Sequence, residues 1–363
     1  MIDIEALVDA KKAHRESLGP FFWVIVDKKS KLCPKDVVLI DGEIIYPYPS
    51  IGRFLYLQPG IKKHFRHPFW VEEKIDGYNI RLFKTAQGLF AMTRRGYFCP
   101  FTADRAFDFI NPQFFVDHPH LILCLEVAGP QNPYLENYPA DIDADVRLFV
   151  FDIMEKGKEG FLPFTEKRAL IEHYRLPSVP VYGLFDAEKI SNLKQLLLDL
   201  DGSGKEGIVM KESQAPFTRA KYVTERSSLQ DMESASHYFL QLPPQYFTHR
   251  ILRLALFMDE ENLDVARQES TKRLGDILTQ GLFSALRQFR QTGKVSNRFR
   301  CYFHQEENAR LFLESRKKLL GHSHFVVSRL EKEADWFVLE FDKEYPRMTS
   351  LLQHYLSGGI VFD

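Results

Sequence analysis

A lysine among acidic residues is the first side chain in this sequence that could carry out covalent chemistry. In the segment "VEEKIDGYNIRLF", Lys74 stands two positions before the pair Asp76 and Gly77 and five before Asn79. Asp-Gly pairs are typical of tight turns, so the segment predicts a hairpin with Lys74 at its mouth. The neutral amine of a lysine is a nucleophile. An unperturbed lysine has a pKa of about 10.4 and is therefore protonated at neutral pH, so its pKa must be lowered before it can react. Taken alone the motif is weak, because a surface lysine in a hairpin also explains it.

Four further motifs follow Lys74 in order. They are "LEVAG" with Glu126, "RLFVFDI" with Phe149 and Phe151, "KEGIVMK" with Glu206 and Lys211, and "RAKYVT" with Lys221. The series KxDG, ExxG, FxFD, EGxVxK and a final lysine resembles the covalent nucleotidyltransferase superfamily of polynucleotide ligases and mRNA-capping enzymes. The resemblance covers residues 66–225. Five motifs in one order are far more specific than any one of them.

The resemblance implies how the basic residues act. Lys74 would attack the α-phosphorus of ATP, form a lysyl-AMP phosphoramidate and release pyrophosphate, while Asp76 shapes the turn that exposes it. The attack needs a neutral amine, and a nearby cation together with partial burial can lower the pKa of Lys74. Charge on the transferring phosphoryl group must be offset by fixed cations, which the resemblance assigns to Lys211 and Lys221.

The resemblance also implies contacts to a metal ion, the ribose and the base. Glu206 would help to hold a divalent ion, Mg²⁺ or Mn²⁺, with Glu126 as a second candidate ligand and as the acceptor for a ribose hydroxyl. The candidates for adenine contacts are Phe151 or Phe149 for stacking, Glu73 or Glu72 for the base edge, and Ile75. The sequence leaves open which phenylalanine stacks and which glutamate reads the base.

Asn79 narrows the choice within the superfamily. DNA ligases and capping enzymes usually carry arginine five residues after the nucleophile, whereas many RNA ligases carry asparagine. In "TRRGYF", Arg94 and Arg95 match the position of an arginine that contacts the nucleotide or the 5′-phosphate in that group, and Arg95 is the preferred candidate. One departure is Val223, which stands where many members carry a second lysine after Lys221.

The segments around these motifs predict an α+β fold. Between residues 66 and 225, short runs rich in β-branched and aromatic residues alternate with a few helical patterns, and short turns favour antiparallel pairing. The predicted core is therefore a nucleotidyltransferase (ATP-grasp-like ligase) fold of antiparallel sheets with helices. Upstream, residues 1–18 have helical spacing that ends at Gly19.

After residue 225 the pattern changes to long segments of 3.6-residue periodicity. The predicted parts are an N-terminal α/β module at 1–65, an adenylyltransferase domain at 66–225, a helical domain at 226–318 and a small C-terminal α/β module at 319–363. A DNA ligase or capping enzyme would continue into a small OB-type β-barrel instead. This layout resembles the homodimeric archaeal-type ATP-dependent RNA ligases that can circularise RNA, in which the helical domain forms the dimer.

Composition is that of an ordinary soluble protein. The 363 residues are 45% apolar and 27% charged, with a net charge of −1. No apolar run approaches the roughly 18 residues of a membrane span, the N-terminal segment lacks the pattern of a signal peptide, and the four cysteines show no CxxC spacing. We therefore expect a cytoplasmic protein with reduced, mostly buried cysteines.

Contacts to nucleic acid must come from local patches, because the chain has no overall basic field. The segment "RFLYLQPGIKKHFRHPFW", residues 53–70, interleaves basic and aromatic residues as single-strand binding requires. A basic linker between domains explains the segment equally well. Two His-x-His pairs, His118 with His120 and His322 with His324, have no third ligand nearby and are interpreted as exposed histidines.

These observations predict an ATP-dependent RNA ligase that joins a 5′-phosphate to a 3′-hydroxyl on single-stranded RNA. A DNA ligase or a guanylyltransferase is the alternative enzyme, which a comparison of ATP with GTP and of RNA with nicked DNA separates. A non-catalytic dimer that binds nucleotides or RNA ends is the alternative from another class. Retention of Lys74, Asp76, Glu126, Glu206 and Lys221 together favours an enzyme.

Overall fold

The computed structural model describes residues 4–29, 33–188, 190–215, 217–261, 263–320 and 325–361. Within them the chain forms an α+β fold with several antiparallel sheets, which confirms the predicted fold class. None of the described helices is both long enough and apolar enough to cross a membrane. All four cysteines are buried.

The N-terminal part is a short helix followed by a four-stranded meander. Its elements are α1 (Ile4–Asp9), β1 (Ala13–Leu18), β2 (Phe21–Val26), β3 (Val38–Ile40) and β4 (Glu43–Ile45), and the strands pair in chain order.

The prediction of one helix over residues 1–18 is wrong beyond α1. Gly19, in the left-handed region at φ 55°, belongs to a two-residue turn that closes β1 onto the apolar strand β2. Pairing with β2 along all of β1 outweighs the local helical spacing of its side chains.

Two sheets form the middle of the molecule. In chain order the elements here are β5 (Gly52–Arg53), α2 (Leu57–His64), β6 (Phe69–Lys74), β7 (Tyr78–Thr85), β8 (Gly88–Thr93), α3 (Pro100–Arg105), α4 (Gln113–Asp117), β9 (Leu121–Ala128), β10 (Arg147–Glu155), α5 (Phe164–Tyr174), β11 (Val181–Phe185), α6 (Ile190–Gly202), β12 (Gly207–Glu212) and β13 (Arg219–Val223). One sheet has the order β10-β9-β7-β8, and the other has the order β11-β6-β12-β13-β5. Their pairings are antiparallel except for the parallel contact of β13 with β5.

The basic segment at residues 53–70 is not an open linker. It contains β5 and α2, and Leu57, Ile61 and Phe65 are buried against the sheet that holds β6 and β12. Apolar residues recur at positions 57 and 61 of α2 and at position 65 directly after it, which is the spacing of a helix with one face in a core. Lys62 and Lys63 stay exposed on the other face.

Three helices follow the second central sheet and pack on one another. They are α7 (Glu225–Ser236), α8 (Gln245–Glu260) and α9 (Asp264–Thr292). The Thr224 hydroxyl accepts a hydrogen bond from the backbone of Ser227 and caps α7 directly after β13. The last part comprises β14 (Ser296–Phe303), α10 (Glu306–Leu320), β15 (Phe325–Glu333), β16 (Trp336–Glu344) and α11 (Pro346–Leu356), with the sheet order β14-β16-β15.

The prediction that residues 226–318 are all helical is wrong at β14. In "SNRFRCYF" the residues Phe299, Cys301 and Phe303 are buried while Arg298 and Arg300 are exposed. This two-residue alternation is the pattern of a half-buried strand. β14 pairs with β16 along its whole length, so it belongs to the C-terminal sheet.

Gly207 provides a test of how tightly the second central sheet is packed. Its φ is 146°, and a Cβ built there would lie 2.2 Å from the carbonyl oxygen of Tyr222 on β13. We expect Gly207→Ala to lower the free energy of unfolding by about 2 kcal/mol or more, because strain and a backbone clash act together. The midpoint of urea unfolding measures the change.

Gly202 is the matched control for that substitution. It ends α6 without a positive φ, and a Cβ added there would have no atom within 4 Å. Gly202→Ala should leave stability unchanged or raise it by up to about 1 kcal/mol. Equal midpoints for the two variants would contradict the packing described at Gly207.

Candidate active site

Lys74 ends strand β6, and strand pairing determines what stands opposite to it. Gly207 of β12 pairs with Lys74, so Glu206, one residue earlier, lies at the same end of the sheet. The Lys74 ammonium forms an ion pair with the Glu206 carboxylate, and only 18% of the Lys74 side chain is exposed. The fold therefore places a nearly buried lysine against an acid that lies 132 positions away along the chain.

Two more carboxylates surround this ion pair. Glu126 is brought in by the pairing of β9 with β7, where it stands opposite Asn79. Asp76, in the turn after β6, accepts a hydrogen bond of 2.6 Å from the side-chain amide of Asn137. Burial and the Glu206 charge raise the pKa of Asp76 to about 7, and burial raises the pKa of Glu126 to about 8.

The same carboxylates determine the protonation of Lys74. Burial favours the neutral amine, but the charges of Glu206, Glu126 and Asp76 outweigh burial and raise the pKa of Lys74 above its ordinary value. The lysine is therefore an ammonium ion at neutral pH in the ligand-free protein. The expected lowering of its pKa requires the charge on these carboxylates to be offset.

A cavity of about 250 Å³ opens beside Lys74. The predicted residues that line it are Glu72, Glu73, Lys74, Ile75, Asn79, Glu126, Phe151, Lys211 and Lys221. Glu206 and Asp76 do not line this cavity and instead line a smaller one. Lys74 lines both cavities, with Glu126 at the larger one and with Glu206 and Asp76 at the smaller one.

The two predicted phosphate-binding lysines have different surroundings. Lys211 is ion-paired with Glu72 and lies 3.0 Å from a carboxylate oxygen of Asp152. The Lys221 amine forms no ion pair or hydrogen bond with the described residues, and burial together with the charges of Lys74 and Arg53 lowers its pKa to about 8. Lys221 is therefore the cation available to a ligand, whereas the charge of Lys211 is already offset.

A buried network of charges lies under the cavity and was not predicted. Lys167 of α5 forms an ion pair with Glu72, and Arg219 of β13 lies 2.5 Å from Asp152. Three cations, Lys167, Lys211 and Arg219, thus share two carboxylates with side chains at most 14% exposed. Lys167 lies in an ordinary helical pattern, so only its tertiary position reveals its role.

A β-bulge decides which phenylalanine reaches the cavity. The register of β10 against β9 shifts between Val150 and Asp152, which makes Phe151 the extra residue. Lys167 and Lys211 donate hydrogen bonds of 2.9 and 2.7 Å to the Phe151 carbonyl oxygen and fix the bulge. Phe151 lines the cavity, whereas Phe149 packs beside it among Ile75 and other apolar residues.

The two candidate acids for the base edge also differ. Glu72 is 1% exposed and is held by Lys167 and Lys211. Glu73 accepts a hydrogen bond of 2.5 Å from Tyr182 and lies 3.1 Å from Lys205. Both carboxylates therefore have partners. The side-chain oxygen of Asn79 is buried at the cavity without a hydrogen-bond partner among the described residues.

Arg94, and not the preferred Arg95, lines the cavity. Both residues lie in the turn after β8, where successive side chains point in different directions, and Arg94 donates a hydrogen bond to the hydroxyl of Ser50. The segment after β4 contributes further lining residues that sequence reasoning missed, namely Tyr48, Pro49 and Ile51. They carry no motif and reach the cavity because β5 joins the sheet that holds Lys221.

The carboxylates around Lys74 fit a divalent cation of the Mg²⁺ type. Burial is the main cause of the raised pKa values of Asp76 and Glu126, and the negative charge of Glu206 raises both further. Among the described residues no three His, Cys, Asp or Glu side chains form a ready metal-binding group. Mg²⁺ commonly takes only one or two carboxylates and completes its coordination with phosphate and water oxygens. His118 and His120 form no such group, and His322 and His324 lie outside the described residues.

Comparison with known proteins gives matches over nearly the whole chain. The RNA ligase family model matches residues 67–223, and the model of the ligase Pab1020 C-terminal region matches residues 234–359. A solved structure from Aquifex aeolicus, provisionally named an ATP-dependent DNA ligase, is 43% identical with a TM-score of 0.93 and 99% coverage of both chains. An archaeal ATP-dependent RNA ligase is 27% identical with a TM-score of 0.88, covering 98% of this chain and 96% of that one.

An uncharacterised protein of Methanocaldococcus jannaschii is 30% identical over 283 residues, which are 76% of this chain and 71% of that protein. Together the matches place the chain in the nucleotidyltransferase superfamily. Within that superfamily the chain belongs to the RNA ligase family, and the enzyme is an ATP-dependent RNA ligase.

Glu126→Gln tests the burial of the Glu126 carboxyl beside Lys74. The folded-state pKa of Glu126 is about 8, against about 4.3 for an unperturbed glutamate. The proton bound by Glu126 in the folded state therefore stabilises the protein. This contribution to the free energy of unfolding is fully present below the pKa of the unfolded state and is lost as the pH rises through about 8. Without nucleotide or metal, we expect the Tm of the variant to exceed that of the wild type near pH 8, and the difference to shrink towards about pH 5.

Glu314→Gln is the matched control, because Glu314 is exposed on α10. Its Tm should differ from that of the wild type by a small amount that does not depend on pH. A constant difference for Glu126→Gln across the same range would show that Glu126 ionises normally.

Proposed function

We propose that Lys74 is the nucleophile that carries AMP during RNA ligation. The Lys74 nitrogen attacks the α-phosphorus of ATP and forms a nitrogen–phosphorus bond. The bond from the α-phosphorus to the oxygen that bridges the α- and β-phosphates breaks, and pyrophosphate leaves with that oxygen. A 5′-phosphate oxygen of RNA then attacks the same phosphorus and frees Lys74. Finally a 3′-hydroxyl attacks the RNA 5′-phosphorus and expels AMP. The observation that supports this proposal is the position of Lys74, which lines the cavity and is surrounded by the carboxylates of Glu206, Glu126 and Asp76.

The carboxylates of Glu206, Glu126 and Asp76 control proton transfer from Lys74. Lys74 donates a hydrogen bond to Glu206, which lies where it could receive the proton. A divalent ion held by Glu206, with Glu126 as a second ligand, would offset their charge and stabilise negative charge on the phosphates. With that charge offset, burial would favour the neutral amine. Lys221, whose amine has no partner among the described residues, would then bind phosphate oxygens.

The cavity in front of Lys74 would hold the nucleoside. Phe151 would stack on adenine, because its ring lines the cavity and its backbone is fixed by two lysines. Glu73 is the better candidate for the base edge, since Glu72 is bound by Lys167 and Lys211. Glu126 and Asn79 lie side by side on neighbouring strands and would bind the ribose.

The RNA substrate is proposed to carry a 5′-phosphate and a 3′-hydroxyl on one single strand, so that joining gives a circle. Asn79 and the RNA ligase family model over residues 67–223 favour RNA over DNA. The provisional name of the Aquifex aeolicus structure makes nicked DNA the competing substrate. Phosphatase-resistant circular product from RNA, and little sealing of nicked DNA, is the expected outcome.

Labelled ATP tests the covalent step. Incubation of the protein with ATP labelled at the α-phosphate and Mg²⁺ should leave label on the protein, whereas γ-labelled ATP should leave none. Lys74→Ala should abolish the label, since the nitrogen that forms the bond is gone. Lys205→Ala, which removes another lysine near the site, is the control and should keep the label. Label that persists in Lys74→Ala would refute Lys74 as nucleophile.

We also propose a homodimer assembled through the helical part, as the resemblance implies. Ile251 on α8 and Phe283 on α9 support this, because 37% and 53% of these large apolar side chains are exposed. Sedimentation should give a particle of two 42.4 kDa chains at micromolar concentration. A particle of one chain's mass under those conditions would contradict the dimer.

A further inference from the structure

A further cavity, the arginine cavity, has a volume of about 450 Å³ and is lined by three arginine side chains. Its lining residues are Arg53, Leu55, His249, Arg250, Leu252 and Arg253. Arg53 belongs to β5 and pairs with Lys221 of β13, while the other two arginines lie on α8. None of the three arginines lines the nucleotide cavity, so they form a separate group next to it.

The carboxylates near the three arginines are too few to offset their three positive charges. Asp231 is their nearest shared carboxylate, with contacts of 2.8 Å to Arg250 and 3.4 Å to Arg253. The other acid that acts on Arg53 is Glu206, which is already ion-paired with Lys74. Buried arginines that serve only the fold are normally paired with carboxylates, because an uncompensated buried charge is costly.

Unpaired donors point to the same shortage. Arg53 Nη1 and Arg253 Nε are buried and have no hydrogen-bond partner among the described residues. Burial and the charge of Arg53 lower the pKa of Arg253 to about 10. Arg250, by contrast, donates to Asp231 and to the backbone of Tyr246. The deficit of acceptors therefore lies on Arg53 and Arg253.

We infer that Arg53, Arg250 and Arg253 form a phosphate-binding site for the RNA strand next to the reacting end. Guanidinium groups bind phosphate oxygens through paired N–H donors. Leu55 and Leu252, which are 44% and 48% exposed, line the same cavity and offer apolar contacts to a ribose or base. This inference rests on the proposed function, because it assigns the arginine cavity to the RNA whose 5′-phosphate receives AMP from Lys74.

RNA phosphate and the triphosphate of ATP share the same chemistry, and the position of the cavity favours RNA. Lys221 stands between the nucleotide cavity and Arg53, with the Lys221 amine already available to ATP. A single-stranded RNA whose 5′-phosphate reaches Lys74 carries further phosphates outwards from the site. Arg253, on the far helix of this group, is the residue that best separates the two sources.

Arg253→Met tests the site with each reaction step measured alone. Anisotropy of a labelled 5′-phosphorylated oligoribonucleotide should show affinity reduced about tenfold, and the salt dependence of log affinity should fall by about one. Formation of lysyl-AMP from ATP should keep its rate and its KM. Sealing of RNA that is already adenylylated should slow at subsaturating RNA. The Tm without RNA should stay or rise, since mutual repulsion is relieved.

Arg290→Met is the matched control, because Arg290 is an exposed arginine near the end of α9. It should change RNA affinity much less than Arg253→Met. Arg53→Met should lower RNA affinity as Arg253→Met does, from the other side of the cavity. Agreement of these two variants would assign the effect to the cavity and not to one helix.

Three results would overturn the inference. A raised KM for ATP with unchanged RNA affinity would give the cavity to the triphosphate. If the wild type binds RNA and the arginine variants bind it with the same affinity, the arginines do not have this role. A lower Tm together with parallel loss of all steps would make the arginines structural. Failure of the wild type to form lysyl-AMP would instead count against the proposed function.

Discussion

Lys74 is held at the end of β6 by its ion pair with Glu206, and that pair depends on the register of β6 against β12. A shift of one residue would turn the side chain to the other face of the sheet. Gly207, which pairs with Lys74, has no space for a side chain because the backbone of Tyr222 and Val223 on β13 lies against it. The residue opposite Lys74 is thus also a point of close contact between β12 and β13.

The acidic surroundings of Lys74 keep its amine protonated in the ligand-free protein. The proposed covalent transfer then depends on a change of local charge, since desolvation and the carboxylates act on the amine in opposite directions. Such a balance links reactivity to the arrival of cations and phosphates together. It also costs stability, because Asp76 and Glu126 remain partly protonated near neutral pH.

Under the cavity beside Lys74, buried charged side chains fix the backbone that carries the Phe151 ring. Two lysines donate to the Phe151 carbonyl oxygen at the β-bulge, and Glu72 and Asp152 bind those lysines in turn. Towards the helices, Lys221 and the arginines of the arginine cavity form a group of positive charges that extends away from Lys74.

The sequence by itself determined the motif residues, most central strands and the long helices, because these depend on local spacing. It also determined the family, since the five motifs keep one order. It failed at β1 and β14, whose state depends on distant partner strands. Only the tertiary structure showed that Phe151 rather than Phe149, and Arg94 rather than Arg95, lines the cavity beside Lys74, and only it revealed Lys167 and the arginine cavity. Those choices depend on a bulge, a turn and contacts between elements, which no local pattern encodes.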